Sequence, residues 1–117
     1  MNEPLTPAVF HILLALADGE RHGYAIMQSV AEETGSAFTM GPGTLYGTIK
    51  RMLEAGLVEE AGERTDPAMP GDGGAERRRY YRITANGRQA AVAEARRLEM
   101  LVQMARGKSL LAKAKGA

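Results

Sequence analysis

Cysteine and tryptophan are absent from this 117-residue sequence, and aromatic residues make up only 5% of it. Without cysteine, the chain can form neither a disulfide framework nor a thiolate metal site. No apolar run approaches the roughly 20 residues that a membrane-spanning helix needs. The first residues, MNEPLTPAVF, also lack the basic region and the long apolar stretch of a signal peptide. We therefore expect a cytoplasmic protein with no membrane partner.

The residues that are present describe a globular protein, with 44% apolar and 25% charged residues. A chain of this length suffices for one small domain with a single modest core. Its net charge is only +1, but residues 1–76 contain four Lys/Arg and twelve Asp/Glu, whereas residues 77–117 contain eleven and two. This asymmetry predicts either a surface for a polyanion or pairing between the two halves.

The segment 40–56 has a strong helical pattern. Pro42 suits a first helical turn, and Gly56 suits the left-handed position after a helix. Apolar residues recur at i, i+4, i+7 and i+8, namely Leu45, Ile49, Met52 and Leu53. Small and charged residues fall on the opposite face, namely Thr44, Gly47, Lys50, Arg51 and Glu54. This face suits close approach to an anion, although a surface helix with two solvated cations explains it equally well.

The neighbouring segments give this helix its context. Thr6 and Pro7 begin a first helix, and a second is predicted from about His22 to Thr34. After the third helix, residues 57–60 are predicted to form a strand, residues 62–76 a loop, and residues 77–83 the returning strand. This order is typical of a winged helix-turn-helix, whose third helix enters the DNA major groove. The predicted fold class is therefore mainly α with a small β-hairpin wing.

The returning strand is unusually basic. Alternation along it places Arg78, Tyr80 and Arg82 on the face opposite Ile83. We interpret this row as a wing that touches the DNA backbone or minor groove, although an edge strand protected from aggregation by charge is the alternative. The first half of the third helix is expected to read base edges. The predicted DNA-binding residues are Thr44, Tyr46, Gly47, Thr48, Lys50, Arg51, Arg78, Tyr80 and Arg82.

The last predicted helix follows Thr84 and continues to about Arg106. It contains a heptad seam, namely Ala91, Ala95, Leu98, Val102 and Ala105. Since the chain offers little else to cover this seam, we expect a homodimer in which it packs on the partner's last and first helices, the latter through Val9, Phe10 and Leu13. The alternative is a helix folded back on its own body. Residues 1–83 would then bind DNA, and residues 84–117 would dimerise.

Several short motifs occur in order between residues 5 and 90. They are His22-Gly23-Tyr24, Gly43-Thr44-Leu45-Tyr46, Lys50-Arg51 followed by Gly56-Leu57-Val58, and Arg79-Tyr80-Tyr81-Arg82-Ile83-Thr84 with Gly87. Together they resemble the PadR family of bacterial transcription regulators. The resemblance implies a winged helix-turn-helix homodimer that represses transcription from an inverted-repeat operator and is released by a small molecule. With a single helix after the wing, the chain resembles the short form of the family.

The sequence also bears on two other classes of function. For an enzyme, His11, His22 and scattered carboxylates show no spacing such as H-E-x-x-H or G-x-S-x-G, so we predict no catalytic residues, metal or cofactor. The alternative that stays open is a winged helix whose basic wing contacts an acidic protein partner. A small hydrophobic effector is a further possible partner, because Met100, Leu101 and Met104 suit an apolar cavity as well as plain core filling.

Overall fold

The computed structural model describes residues 4–68 and 77–112. These residues form α1 (Pro7–Leu16), β1 (Arg21–His22), α2 (Gly23–Glu33), α3 (Pro42–Glu54), β2 (Val58–Arg64), β3 (Arg78–Ile83) and α4 (Ala85–Gly107). The predicted fold class, mainly α with a small β-hairpin wing, is confirmed. No helix in these two stretches is both long and apolar enough to cross a membrane.

Side-chain caps explain where α1 and α4 begin. The hydroxyl of Thr6 accepts a hydrogen bond from Val9 N, with Pro7 in the first turn of α1, and the hydroxyl of Thr84 does the same for Gly87 N in α4. The helix α3 begins at Pro42 as predicted, and the chain leaves it through Gly56, whose φ is +74°. These ends depend on local chemistry, which is why the sequence located them.

The core lies between α1, α2, α3 and the sheet. Its buried side chains include Ile12, Leu13, Leu16, Ile26, Val30, Leu45, Ile49, Met52, Val58 and Tyr81. Leu13 was predicted to contact a partner chain, but it is 0% exposed within its own protomer. The prediction is wrong because α2, α3, α4 and β3 all pack on α1, and Leu13 belongs to the core cluster that they share. Truncating such a residue to alanine costs about 2–5 kcal/mol of folding free energy.

The sheet has the antiparallel order β1-β3-β2. In it Arg21 pairs with Tyr81 across β1 and β3, and Val58 pairs with Ile83 across β2 and β3. The strand β1 was not predicted, because two residues are too few for a periodic pattern. The strand β2 also extends to Arg64, past a bulge at Gly62, whose φ is +95°. Residues 69–76, which belong to the predicted loop, lie outside the described residues.

The two halves of α4 have different surroundings. In the first half, a Cβ at Gly87 would overlap the carbonyl oxygen of Leu57, so only glycine permits this close packing. Glu94 is 5% exposed and accepts a hydrogen bond from Leu5 N at 3.2 Å. A hydrogen bond from Arg97 lowers the pKa of the Glu94 carboxyl. The first half of α4 is therefore anchored to the body of its own protomer.

In its second half, α4 exposes large apolar side chains, among them Leu98, Leu101, Val102 and Met104. Leu98 follows Ala91 by one heptad, and Leu101 follows Glu94 in the same way, so these side chains extend the face that packs on the body. The described molecule measures 54 × 30 × 26 Å. The face that the body covers thus continues, uncovered, along a projecting helix.

Candidate nucleic-acid interface

The outer face of α3 is accessible where the sequence predicted it to be. Thr44, Tyr46, Lys50 and Arg51 are exposed, and Gly47 is half-buried. An added Cβ at Gly47 would meet only the Nη1 atom of Arg51, at 4.0 Å, so this part of the helix surface is low and open. The face combines small side chains with two cations, which suits entry into a groove lined by phosphates.

Thr48 departs from the prediction for α3. It is only 1% exposed, so it is not available to a base edge. Its position three residues after Leu45 and four before Met52 places it on the core side of the helix. Its hydroxyl accepts a hydrogen bond from Arg51 Nη2 at 3.3 Å. Thr48 is therefore a buried residue whose hydroxyl contacts an exposed arginine, and the exposed position predicted for it is wrong.

Tyr46 connects α3 to the beginning of α2. A Cβ added to Gly23 would overlap the hydroxyl and ring of Tyr46. The glycine of the His22-Gly23-Tyr24 motif therefore lets the Tyr46 ring lie directly on the first turn of α2, and a side chain there would displace that ring. Tyr46 remains 48% exposed, so one part of the ring packs and the other faces solvent.

A depression of about 160 Å³ lies beside Tyr46, and we call it the basic niche. It is bounded by the end of β1, the beginning of α2, the helix α3 and the start of β3. Its lining residues are His22, Gly23, Tyr24, Tyr46, Arg77, Arg78 and Arg79. The guanidinium of Arg78 lies 5.7 Å from the ring centroid of Tyr24. Arginines, tyrosine hydroxyls and the amino end of a helix together suit an anion such as a phosphate.

The row of Arg78, Tyr80 and Arg82 is not uniformly exposed. Tyr80 is 8% exposed, so the prediction of an exposed tyrosine on the wing is wrong. The guanidinium carbon of Arg64 lies 3.6 Å from its ring centroid, and His22 makes an edge contact at 5.3 Å. The unpredicted strand β1 and the longer β2 bring these two side chains onto the ring.

Two exposed arginines of β3, Arg79 and Arg82, are engaged with carboxylates. Arg82 donates from Nε to Glu59 Oε1 at 2.8 Å and pairs with Glu20 at 3.4 Å, whereas Arg79 pairs with Glu60 and Glu63. Hydrogen bonding to Glu59 raises the pKa of Arg82. The predicted pairing between the acidic and basic halves of the chain therefore occurs on the wing. Exposed ion pairs of this kind stabilise a protein by only about 0–1 kcal/mol each.

The remaining predicted dimerisation residues differ in accessibility. Ala91 packs against the protomer's own core, as does Val9 in part. Phe10 and Ala105 are half-buried, whereas Ala95, Leu98 and Val102 are exposed. His11, considered above for an enzyme, stacks on Phe38 with 4.4 Å between the ring centroids, which is a packing role.

The sequence did not reveal the role of His22. Its Nδ1 accepts a hydrogen bond from Ala25 N at 3.1 Å and so caps α2. Its Nε2 lies 2.9 Å from Asp66 Oδ2, a residue 44 positions away. This hydrogen bond, with one from the backbone of Ala68, lowers the pKa of the Asp66 carboxyl. No local pattern signals a pair so distant in the chain.

Comparisons with known sequences place this arrangement in context. Residues 12–93 match the family described as "Transcriptional regulator PadR-like family". The chain is also 33% identical over 93 residues to the transcriptional regulator Rv3488 of Mycobacterium tuberculosis. The aligned segment covers 80% of this chain and 77% of that protein. It spans 22% and 64% of the lengths of two other curated relatives.

Solved structures share the fold. A PadR family transcription regulator from hypervirulent Clostridium difficile superposes with a TM-score of 0.69 at 24% identity, covering 87% of this chain and 97% of that one. Bacillus subtilis PadR in complex with operator DNA superposes with a TM-score of 0.61 at 21% identity, covering 77% of this chain and 47% of that one. The winged-helix architecture is therefore common to these proteins and the present chain.

Proposed function

Because the chain belongs to the PadR-like family of transcriptional regulators, we propose that it binds double-stranded DNA sequence-specifically and represses transcription as a homodimer on an inverted-repeat operator. One observation carries the proposal. Tyr46 belongs both to the exposed face of α3 and to the lining of the basic niche. A groove-reading surface and an anion-binding surface are therefore continuous.

The two surfaces have separate tasks in this proposal. Thr44, Tyr46 and Gly47, in the first half of α3, lie nearest the base edges, with Lys50 and Arg51 against the flanking phosphates. The basic niche receives a backbone phosphate, with Arg78 beside it. Arg82 stays with Glu59 and Glu20 and contributes less. Support comes from the fold shared with Bacillus subtilis PadR, whose structure contains operator DNA.

The uncovered face of α4 supports the dimerisation part of the proposal. Leu98, Leu101 and Val102 are exposed on a helix that projects from the body, and a second copy covers them most economically. Because the seam is rich in alanine, further burial is needed, and the half-buried Val9 and Phe10 on α1 supply it. A two-fold axis between the two α4 helices then places the two α3 helices about 34 Å apart, one turn of DNA.

The same face suits an effector. Met100 and Met104 are exposed beside it, and flexible thioether side chains adapt to varied apolar ligands. A small hydrophobic molecule held between the two copies would change the distance between the α3 helices. Such a ligand would release the operator if it favoured the altered spacing.

The proposal is tested by titrating the protein with a duplex from its own upstream promoter region at several salt concentrations. We expect a specific complex whose log affinity falls linearly with log salt, with a slope of about −0.9 for each phosphate contacted. A random duplex of equal length is the control. Equal affinity for both duplexes at every salt concentration would contradict the proposal and favour a wing that contacts an acidic protein.

A further inference from the structure

Four side chains connect the end of β2 to the beginning of α2, and we call them the clasp. They are Arg64, Tyr80, His22 and Asp66. Arg64 lies over the ring of Tyr80, the edge of Tyr80 meets His22, and His22 is hydrogen-bonded to Asp66. Since β3 lies between β1 and β2, this chain of contacts crosses the middle strand of the sheet. The clasp thus connects β2 with β1 and the beginning of α2, although β1 and β2 are not neighbours in the sheet.

Both nitrogens of His22 are used. Its Nδ1 accepts from Ala25 N, so the imidazole proton lies on Nε2 and is donated to Asp66 Oδ2. The side chain is 2% exposed, and a buried N–H that loses its acceptor is costly. The imidazole can therefore satisfy both nitrogens only while Asp66 stays at this position.

Asp66 is held on its other side as well. Its Oδ1 accepts a hydrogen bond from Ala68 N at 2.9 Å, which closes a tight turn just after β2. Asp66 thus fixes the path of the chain just after β2, while His22 fixes the residue at which α2 begins. His22 also lines the basic niche, together with Arg77, Arg78 and Arg79 at the start of β3. The clasp therefore lies at the border between the wing and the niche.

The negative charge of Asp66 distinguishes a positioning role from a direct role in DNA binding. A carboxylate close to the niche arginines repels a phosphate, so on charge alone Asp66 opposes DNA binding. We propose that the His22–Asp66 pair is a positioning element, which holds the wing against the first turn of α2 and so preforms the basic niche. This inference rests on the proposed function. A preformed site binds more tightly because less ordering accompanies the contact.

The replacement Asp66→Ala tests the proposal, because it leaves the Nδ1 cap of α2 intact and removes both hydrogen bonds of the Asp66 carboxylate, the one to His22 and the one from Ala68 N. Positioning predicts that operator affinity falls about tenfold, the equivalent of one charge-assisted hydrogen bond. Charge alone predicts the opposite, namely tighter binding after loss of a carboxylate. Asp18→Ala removes a carboxylate that pairs with Arg21 outside the clasp, and it is the control for net charge.

The replacement Asp66→Asn supplies the conservative rescue. Its single amide oxygen can still accept from His22 Nε2–H, whereas its NH2 group cannot accept from Ala68 N and the negative charge is gone. Because Asp66→Ala also lacks the bond to Ala68, the two variants differ in the link to His22. We expect its operator affinity to be well above that of Asp66→Ala and its salt slope to match that of the unmodified chain. An equal loss of operator affinity in Asp66→Asn and Asp66→Ala would overturn the proposal, because it would show that the hydrogen bond to His22 does not determine that affinity.

A double-mutant cycle separates the link from the cap. Asn is a good N-cap residue but is too short to reach Asp66, so His22→Asn breaks the same link from the other side. In the combined variant with Asp66→Ala, operator affinity should be no lower than in His22→Asn alone. If His22→Asn does not fold, as judged by circular dichroism, the Asp66 variants decide the question without it.

The outcomes are distinguishable from failure of the proposed function. Absence of any preferred duplex for the unmodified chain would overturn the proposed function itself. Preferred binding by the unmodified chain, with equal or tighter binding by Asp66→Ala, would overturn only the positioning role. Weaker binding by Asp66→Ala that Asp66→Asn restores would support it.

Discussion

Arg51 on α3 and Arg82 on the wing are both exposed arginines of the candidate interface, but their guanidinium groups have different partners. Arg51 donates to the neutral hydroxyl of Thr48, whereas Arg82 donates to Glu59 and pairs with Glu20. Within residues 4–68 and 77–112, neither Lys50 nor Arg51 forms an ion pair with a carboxylate. The positive charge that a surface offers to a polyanion thus depends on the neighbours of its arginines, and Arg51 offers more than Arg82.

The two arginines differ in what a DNA phosphate would have to displace in order to bind them. A phosphate that approaches Arg51 displaces water and counterions. A phosphate that approaches Arg82 must first separate it from two carboxylates, which then remain nearby and repel the DNA. Arg82 is therefore expected to shape and hold the hairpin, and α3 together with the basic niche is expected to supply most of the affinity.

Replacing Leu98 by Asp is expected to have the largest effect, because it removes the second copy of both surfaces at once. In the proposed dimer the substitution places two carboxylates in the seam of α4, and a buried unpaired charge costs about 3–5 kcal/mol. We expect a monomer in sedimentation velocity and loss of operator binding. Gln103→Asp puts the same charge on another, exposed face of α4 and is the matched control. A folded Leu98→Asp protein that stayed dimeric would contradict the proposed packing.

Arg51→Ala addresses the comparison directly. Loss of one phosphate contact is expected to weaken binding about tenfold, equally for operator and random duplex. The slope of log affinity against log salt should become shallower by about 0.9. Fluorescence anisotropy at several salt concentrations measures both quantities. An unchanged slope would show that Arg51 does not contact phosphate.

Thr44→Ala tests the base-reading part of the same face. We expect discrimination at one base pair of each half-site to fall about fivefold, less than the loss of a bidentate contact would cause. Affinity for random duplex should stay the same. Competition with operators changed at single base pairs measures this, and Thr39→Ala, in the turn before α3, is the control. Uniform weakening on all duplexes would assign Thr44 to the backbone instead.

Arg82→Ala is expected to have the smallest effect, about twofold in affinity, because exposed ion pairs contribute little. Unlike Arg51→Ala, it should leave the salt slope unchanged, since its guanidinium binds Glu59 and Glu20 rather than phosphate. The two variants remove the same chemical group and form a matched pair. If Arg82→Ala weakened binding as much as Arg51→Ala, the distinction between the two surfaces would fail.

Sequence reasoning succeeded where a signal is local. Pro42 and Gly56 marked the ends of α3, and Thr6 and Thr84 marked the beginnings of α1 and α4. It failed where periodicity could not show which elements would cover a residue. Leu13 and Thr48 were assigned to interfaces but are buried in the protomer. Tyr80 was assigned to an exposed row, because alternation along β3 cannot show that Arg64 and His22 cover it.

The order of the four helices and of the two hairpin strands, the winged helix-turn-helix architecture and most of the accessible face of α3 were predicted from the sequence alone. Each follows from caps, turn residues and spacings within a few positions along the chain. Only the tertiary structure decided which arginines are engaged with carboxylates and which two residues link the wing to α2. His22 and Asp66 are 44 positions apart, and Leu5 and Glu94 are 89 apart. Such pairs depend on how the elements pack, and no local pattern encodes the geometry of that packing.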